Sequence, residues 1–161
     1  MTPHPDTSPA APGREGEGPA VLRPAACSAG VEARPGSQTW TITLPAGLPT
    51  LSLNDHKRHW AEKNRRAQAL RKAAWAMALQ ARVPPLEPGV TIAVEYQPPD
   101  RRRRDNENIP IASGKHCIDG LVAAKVLADD APPHVAAVTG TIGEPYPGGR
   151  FILRVTGVPR A

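Results

Sequence analysis

Proline and small residues dominate the start of the chain, and this restricts which part of it can fold. Of residues 1–37, 22 are Pro, Ala, Gly or Ser, and none is Phe, Trp or Tyr. Such a segment cannot bury enough apolar surface to offset the conformational entropy that folding costs. We therefore expect a disordered N-terminal arm over residues 1–37 and one folded domain over residues 38–161.

The positive charge of the chain belongs to the expected domain. The whole chain carries a net charge of +5, but the arm holds four acidic and three basic residues, so residues 38–161 carry +6. This charge favours anionic partners such as nucleic acid. No apolar run reaches the ~18 residues of a membrane span, and the N-terminus lacks the pattern of a secretory signal. Two cysteines are too few for a disulfide framework, so we expect a cytoplasmic protein.

Hydrophobic patterning predicts four strands and two helices in the domain. The strands are expected at residues 40–44, 90–96, 135–142 and 151–156. The first helix is expected over about residues 54–82, after a capping-box pattern that begins at Ser52. The second helix is expected over about residues 115–127. The order β-α-β-α-β-β predicts an α/β fold with a small mixed sheet and two main helices.

The first predicted helix combines an apolar face with a strongly basic surface. Its apolar residues recur at helical spacing and are Trp60, Ala67, Leu70, Ala74, Met77 and Ala81. Two acidic and eight basic residues cover the other faces, the basic ones being Lys57, Arg58, Lys63, Arg65, Arg66, Arg71, Lys72 and Arg82. Because Lys and Arg neutralise phosphates and release counterions, this surface indicates binding to a nucleic-acid backbone. A solvated amphipathic helix and a protein-partner surface are the alternatives.

The densest group of charges follows the second predicted strand, in the sequence Asp100-Arg101-Arg102-Arg103-Arg104-Asp105-Asn106-Glu107-Asn108. In an extended segment the spacing of Asp105 and Glu107 puts both carboxylates on one side. Such a pair is unfavourable unless it is protonated, paired or bound to a cation, and oxygen ligands favour Mg²⁺ or Mn²⁺. A second acidic pair, Asp129-Asp130, follows the next helix, so a metal site is indicated. The alternative is a surface loop whose arginines neutralise the acids.

The order of these motifs resembles the RusA-type Holliday junction resolvases, also called crossover junction endodeoxyribonucleases. The resemblance covers about residues 45–157. Its motifs are Ser52-Leu53-Asn54 before a basic helix with His59-Trp60, Pro99-Asp100 with Arg102-Arg103-Arg104-Asp105, Glu107-Asn108, Lys115 four residues before Asp119-Gly120-Leu121, and Asp129-Asp130. The resemblance implies a small α/β fold, a homodimer, and Mg²⁺-dependent cleavage of four-way DNA junctions in recombination and repair, with Mn²⁺ as a possible substitute.

The resemblance also implies roles for individual residues. Three carboxylates would be catalytic and bind the metal, namely Asp105, Glu107 and Asp130, and Lys115 would stabilise developing negative charge. Asp119 and Asp129 would be accessory. The residues expected to hold the DNA backbone are Lys57, Arg58, Lys63, Arg65, Arg66, Arg101, Arg102, Arg103 and Arg104. The location implied is the nucleoid of a bacterium or a phage-infected cell.

Several alternatives to a junction resolvase follow from the same residues. Glu107 stands where the family commonly has Asp, so a branched-DNA-binding protein without turnover is one alternative. A zinc site would draw on His56, His59, His116 and Cys117, but adjacent residues rarely bind one structural zinc ion. A restriction-type nuclease would need a different spacing between Glu107 and Lys115. The aromatic residues are expected in the core or a dimer interface rather than as base-stacking platforms, and they are Trp40, Trp60, Trp75, Tyr96, Tyr146 and Phe151.

Overall fold

The computed structural model describes residues 34–53, 60–104 and 108–161. Six elements follow one another: β1 (Gln38–Thr43), α1 (Trp60–Gln80), β2 (Val90–Gln97), α2 (Asn108–Ala123), β3 (Val135–Ile142) and β4 (Arg150–Gly157). The predicted α/β class and the order β-α-β-α-β-β are confirmed. No helix in these ranges is long and apolar enough to cross a membrane.

The four strands form one mixed sheet in the order β1-β4-β2-β3. β4 lies antiparallel to both β1 and β2, whereas β2 and β3 are parallel and are connected through α2. Alternate residues of β2 are buried, including Val90, Ile92 and Val94. These side chains face the helices, because a Cβ placed on Gly114 of α2 would contact Val94. The period-2 burial is the signature of a strand with only one covered face.

The opposite face of the sheet is polar and carries a hydrogen-bonded network. Arg154 donates to Glu95 at 2.7 Å, Gln97 donates to Glu95 at 2.8 Å, and Arg150 donates to Gln97 at 2.6 Å. Burial raises the pKa of Glu95, but the hydrogen bonds from Arg154 and Gln97, together with the charges of Arg154 and Arg150, hold the pKa below its usual value. Glu95 is therefore ionised at neutral pH and cross-links β2 with β4.

The two helices are in close contact at Gly120. A Cβ on Gly120 would collide with the carbonyl oxygen of Arg71 and would lie 2.9 Å from the Cβ of Ala74. Leu70, Ala74 and Leu121 are fully buried around this crossing. The glycine of the Asp119-Gly120-Leu121 motif thus has a packing role, since only a hydrogen fits between the helices there.

Both helices end earlier than the sequence predicts, for the same reason. Arg82 and Lys125 have φ angles of 50° and 60°, in the left-handed region. Beyond them, Val83 donates to the carbonyl of Ala78, and Val126 donates to the carbonyl of Leu121. These are Schellman motifs, which usually carry glycine at the left-handed position. Arginine and lysine give no such signal in a sequence, so α1 was expected to continue to residue 82 and α2 to residue 127.

The predicted start of α2, at about residue 115, is wrong. The helix begins at Asn108, whereas residues 109–114 were expected to lie before it. Pro110 is compatible with this start because a proline in the first turn loses no intrahelical hydrogen bond. Ile118 and Leu121, on the apolar face of α2, are buried as expected, and Val126 is buried just beyond the end of the helix. The start of the first predicted helix, residues 54–59, lies outside the described residues.

The apolar face of α1 differs from the expected one at both ends. The buried residues are Leu70, Ala74 and Ala78, and Ala67 and Met77 pack against them. Trp60, the first residue of the helix, is 78% exposed. Ala81, just beyond the helix end, is exposed as well. Trp60 is therefore not a core residue of the described domain, contrary to its place on the predicted apolar face.

The remaining aromatic residues divide between core and surface. Tyr96 and Phe151 are buried and stack with ring centroids 4.7 Å apart, as expected for core residues. Trp40 packs at the edge of the core, whereas Trp75 and Tyr146 are partly exposed.

The predicted arm falls mostly outside the described residues, which begin at Arg34. Residues 34–37 form a turn in which Ser37 donates to the carbonyl of Arg34. The Arg34 guanidinium donates to the carbonyl of Pro88 at 2.8 Å. This turn attaches to the segment before β2, so it belongs structurally with the domain.

Gly120→Ala tests the helix crossing. We expect the variant to lose about 1–3 kcal/mol of unfolding free energy, because the added methyl group meets backbone that cannot move without separating the helices. Gly114→Ala is the comparison variant: it gives the same helix a similar propensity gain, and because its Cβ meets the Val94 side chain at 2.9 Å rather than backbone, its expected loss is smaller. Chemical denaturation measures both. Equal stability of Gly120→Ala and wild type would contradict the role assigned to Gly120.

Candidate functional site

One edge of the sheet collects most of the predicted site residues. β1 and β2 are both antiparallel to β4, so they run in the same direction and end at the same edge. The chain then enters α1 after β1 and α2 after β2. We call this the helix-start edge, formed by residues 44–53, 60–66, 97–104 and 108–116. Helix N-termini carry partial positive charge, so such an edge favours anions.

Two motifs that are far apart in sequence meet at the helix-start edge. The Asn108 Oδ1 atom accepts hydrogen bonds from Ser52 Oγ at 2.8 Å and from the Leu53 backbone N–H at 2.6 Å. One turn further along α2, the buried Ser113 hydroxyl accepts from the Leu51 N–H at 3.0 Å and donates to the Leu51 carbonyl at 3.3 Å. The Ser52-Leu53 segment is therefore fixed to the first two turns of α2.

The arginine-rich segment is folded around Asp100. The Asp100 carboxylate accepts from the Arg102 N–H at 3.0 Å and pairs with Arg104 at 2.9 Å. Arg104 also donates to the carbonyls of Asp100 and Arg102, at 3.0 and 3.1 Å. The Arg102 N–H and the Arg104 guanidinium together hold the pKa of Asp100 below its usual value. Arg104 thus has internal partners, whereas Arg101 and Arg103 are exposed.

The start of α1 shows the same division between internal and exposed cations. Arg66 pairs with Glu62 at 2.5 Å and donates to the Thr50 carbonyl at 3.4 Å. Lys63 and Arg65 are exposed on the same turns of the helix. Arg65 and Arg66 border a cleft of about 500 Å³ that also reaches Tyr96 and Pro99. Of the residues expected to bind DNA, Lys57 and Arg58 lie outside the described residues.

Lys115 reaches the helix-start edge. It lies seven residues after Asn108, two helical turns along α2, so both residues are on the same side of the helix. Lys115 lines a cleft of about 350 Å³ together with Lys63 and His116. The walls of the cleft are Leu51, Ser52, Leu53, Ile111 and Ala112. We call it the α2 cleft.

His116 is held between cations and one carboxylate. Its Nδ1 atom lies 3.5 Å from Asp119 Oδ2. Burial lowers the pKa of His116, the ammonium groups of Lys115 and Lys63 lower it further, and Asp119 opposes them. The net direction is downward, so the imidazole is neutral at neutral pH. The observed partner of the Asp119 carboxylate is therefore His116.

The acidic pair Asp129-Asp130 lies at the other end of α2. Asp129 accepts from the N–H groups of Asp130 and Ala131, at 2.7 and 3.3 Å, and closes the turn that leads to β3. A hydrogen bond with the Asp130 side chain, followed by these N–H groups, lowers the pKa of Asp129. The carbonyl of Pro133, further along, accepts from Gly89 at the start of β2. A helix of 16 residues is about 24 Å long, so a single chain keeps Asp130 away from Asn108.

The described residues supply only part of the predicted metal site. Asp105 and Glu107 lie outside them, and within residues 34–53, 60–104 and 108–161 no three His, Cys, Asp or Glu side chains are grouped to hold a metal ion. Carboxylate oxygens remain the donors that suit Mg²⁺ or Mn²⁺. For the zinc alternative, His56 and His59 are likewise outside the described residues. Burial raises the pKa of Cys117 to about 12, so its thiol stays protonated in the core.

Comparisons with known proteins do not identify a family. No family model matches the chain, and no match is found among the curated proteins. Among solved structures, a thiamine-monophosphate kinase from Stenotrophomonas maltophilia is 16% identical over 80% of this chain, with a TM-score of 0.23. The chain spans about a third of that kinase, 33% of its length. A TM-score this low carries no conclusion about fold or function.

Sequence reasoning missed three roles at this edge. Asn108 was part of a motif, but its function as the acceptor that joins two segments was not predicted. Asp100 was assigned to the charged run rather than to the folding of the arginine segment. His116 was considered only for zinc, and the α2 cleft was not foreseen. The seven-residue spacing of Asn108 and Lys115 was the available signal, and it is informative only if α2 begins at Asn108.

Asn108→Ala tests the joint between the two motifs. The substitution removes the shared acceptor of two hydrogen bonds, so we expect a loss of about 1–2 kcal/mol of unfolding free energy. Asn108→Asp is the matched control, because a carboxylate of the same shape keeps the acceptor oxygen, and its expected loss is smaller. Chemical denaturation at fixed salt compares them. An equal loss in both variants would show that the acceptor oxygen is not what stabilises the joint.

Proposed function

We propose that the chain is a metal-dependent, structure-selective endodeoxyribonuclease of the RusA type, which resolves four-way DNA junctions by paired phosphodiester hydrolysis. The observation that carries the proposal is the joint at Asn108. It brings Ser52-Leu53, the start of α2 and Lys115 to one edge of the sheet. These are motifs on which the resemblance to the resolvases rests, and nothing in the chain order alone requires them to meet.

The exposed cations of the helix-start edge support a role in holding the DNA backbone. Lys63 and Arg65 extend from α1, and Arg101 and Arg103 extend from the segment folded around Asp100. Their charges are not neutralised by described carboxylates, unlike that of Arg104. Contacts of this kind position a duplex without reading its sequence, so they suit an enzyme that selects DNA by shape.

The proposed chemistry divides between a metal and Lys115. Asp105, Glu107 and Asp130 would hold Mg²⁺ or Mn²⁺, which supplies an activated water and charge relief at the phosphate when bound. Lys115, on the helix-start edge, stabilises negative charge that develops on the phosphate or the leaving oxygen. Burial lowers the pKa of His116, so the formal positive charge beside the α2 cleft comes from Lys115 and Lys63.

The position of Asp130 adds a requirement to this proposal. α2, about 24 Å long, leads from Asn108, the neighbour of Glu107, to the turn with Asp130 that precedes β3 at the opposite end of the sheet. A two-fold homodimer would solve this if Asp130 of the partner subunit reaches the helix-start edge. Such a dimer also presents two sites to the two strands of a nearly two-fold symmetric junction.

The position of Asp130 at the opposite end of α2 also favours a second candidate function. If no partner subunit completes the set of carboxylates, the exposed cations and the joint at Asn108 still fit a protein that binds branched DNA without cleaving it. Glu107, one methylene longer than the Asp that is usual in the family, points in the same direction. Turnover separates the two candidates.

Cleavage of a labelled four-way junction tests the enzyme. We expect paired nicks in the junction but not in a matched duplex, in Mg²⁺ or Mn²⁺ and not in EDTA, with loss of nicking in Asp105→Asn and a reduction of about 10²-fold in Lys115→Ala. Asp105→Asn and Asp130→Asn are then mixed. If the site is shared between subunits, the mixed dimer has one intact site and regains nicking on one strand. Tight junction binding with no nicks in either metal would favour the binding protein, and no preference over the duplex would exclude both.

The salt dependence of DNA affinity tests the proposed contacts with the DNA backbone. Arg103→Ala removes an exposed cation of the helix-start edge, so we expect the slope of log affinity against log salt to become shallower by about 0.9. Arg160→Ala is the matched control: it removes the same charge near Glu87, before β2, at the opposite end of the sheet. Its slope should equal that of wild type. Equal changes in both variants would mean that the slope reports overall charge rather than a contact at this edge.

A further inference from the structure

We propose that the α2 cleft takes one nucleobase extruded at the branch point of the DNA, with the adjoining phosphates on Lys63 and Lys115. This inference rests on the proposed function and names the part of the substrate that the helix-start edge selects. According to this inference, the α2 cleft is the part of the protein that distinguishes branched DNA from a duplex.

The size and lining of the cleft suit a flat apolar group. Its volume of about 350 Å³ falls at the lower end of small-molecule sites, which span roughly 300–1,000 Å³. Leu51, Leu53, Ile111 and Ala112 provide apolar walls on two sides. The walls do not depend on a flexible loop, because Asn108 and Ser113 fix residues 51–53 to α2.

The charged groups of the cleft favour an occupant that carries a phosphate. Lys63 comes from α1 and Lys115 from α2, so two cations border one apolar cavity. An apolar ring with negative charge attached to it matches this arrangement, and a nucleotide has both parts. His116 adds a ring that is neutral at neutral pH, and a neutral imidazole offers one donor and one acceptor for the polar edge of a base.

A base within a continuous duplex enters such a cleft only at the full cost of unpairing and of unstacking from both neighbours. At a branch point the stack is interrupted, so extrusion of a base costs least there. Capture of the extruded base would therefore add more affinity for a junction than for a duplex. Since Lys115 borders the cleft and is also the proposed catalytic lysine, the captured nucleotide would adjoin the phosphate that is cleaved.

Fluorescence of 2-aminopurine tests this inference. The base analogue is placed in turn at each branch-point position of a four-way junction, and the protein carries Asp105→Asn so that the DNA stays intact. We expect a several-fold fluorescence increase at one position on binding, because unstacking relieves quenching and none of the described lining residues is Phe, Tyr or Trp. Anisotropy of a second label reports junction and duplex binding in the same titration.

Three variants test whether the α2 cleft causes the fluorescence increase. Ala112→Leu fills the α2 cleft, so it should abolish the increase and weaken junction binding about tenfold while duplex binding is unchanged. Leu53→Ala removes an exposed wall with little risk to folding and should reduce the increase. Leu79→Ala is the matched control, a partly exposed leucine of α1 outside the cleft, and should change nothing.

The outcomes separate this inference from the proposed function. Junction binding without a fluorescence increase at any position, or an increase that persists in Ala112→Leu and Leu53→Ala, would overturn the base-binding cleft and leave the junction proposal standing. Equal binding to junction and duplex would instead overturn the proposed function.

Discussion

The close contact between α1 and α2 at Gly120 is the constraint on which the packing of the two helices depends. Because a hydrogen atom occupies the place of a side chain, the backbone of α1 lies directly against α2 on one face of the sheet. Both helices follow strands that run in the same direction, so their N-termini reach the same edge. The charged and polar side chains of the helix-start edge are therefore brought together by packing, independently of any ligand.

A second constraint, the acceptor oxygen of Asn108, converts this shared edge into a defined surface. It fixes the segment after β1 to the start of α2 and thereby gives the α2 cleft a rigid wall. Asp100 performs a comparable task for the arginine segment, since it engages Arg104 and the backbone of Arg102. In both cases a polar side chain organises the backbone around it, while neighbouring cations such as Arg101 and Arg103 stay exposed.

The fold could be predicted from the sequence to a large extent, and the reasons for the misses are specific. Alternating β-branched residues located β2, β3 and β4 to within one residue at each end, because a strand covered on one face leaves a period of two. The ends of the helices were missed because Arg82 and Lys125 adopt the left-handed conformation usually taken by glycine. The start of α2 was missed because Pro110 reads as a break unless it is known to lie in the first turn.

The sequence by itself determined the class of fold, the order of its elements, the basic character of the domain and the residue types from which a site could be built. These properties depend on local periodicity and composition, which a chain carries before it folds. Only the tertiary structure decided which of those residues meet. It joined Ser52 to Asn108 across 56 positions, placed Lys115 beside Lys63, gave Arg66 and Arg104 internal partners, and separated Asp130 from the start of α2. Such distances follow from the direction of strands and the close approach of helices, and no local pattern encodes them.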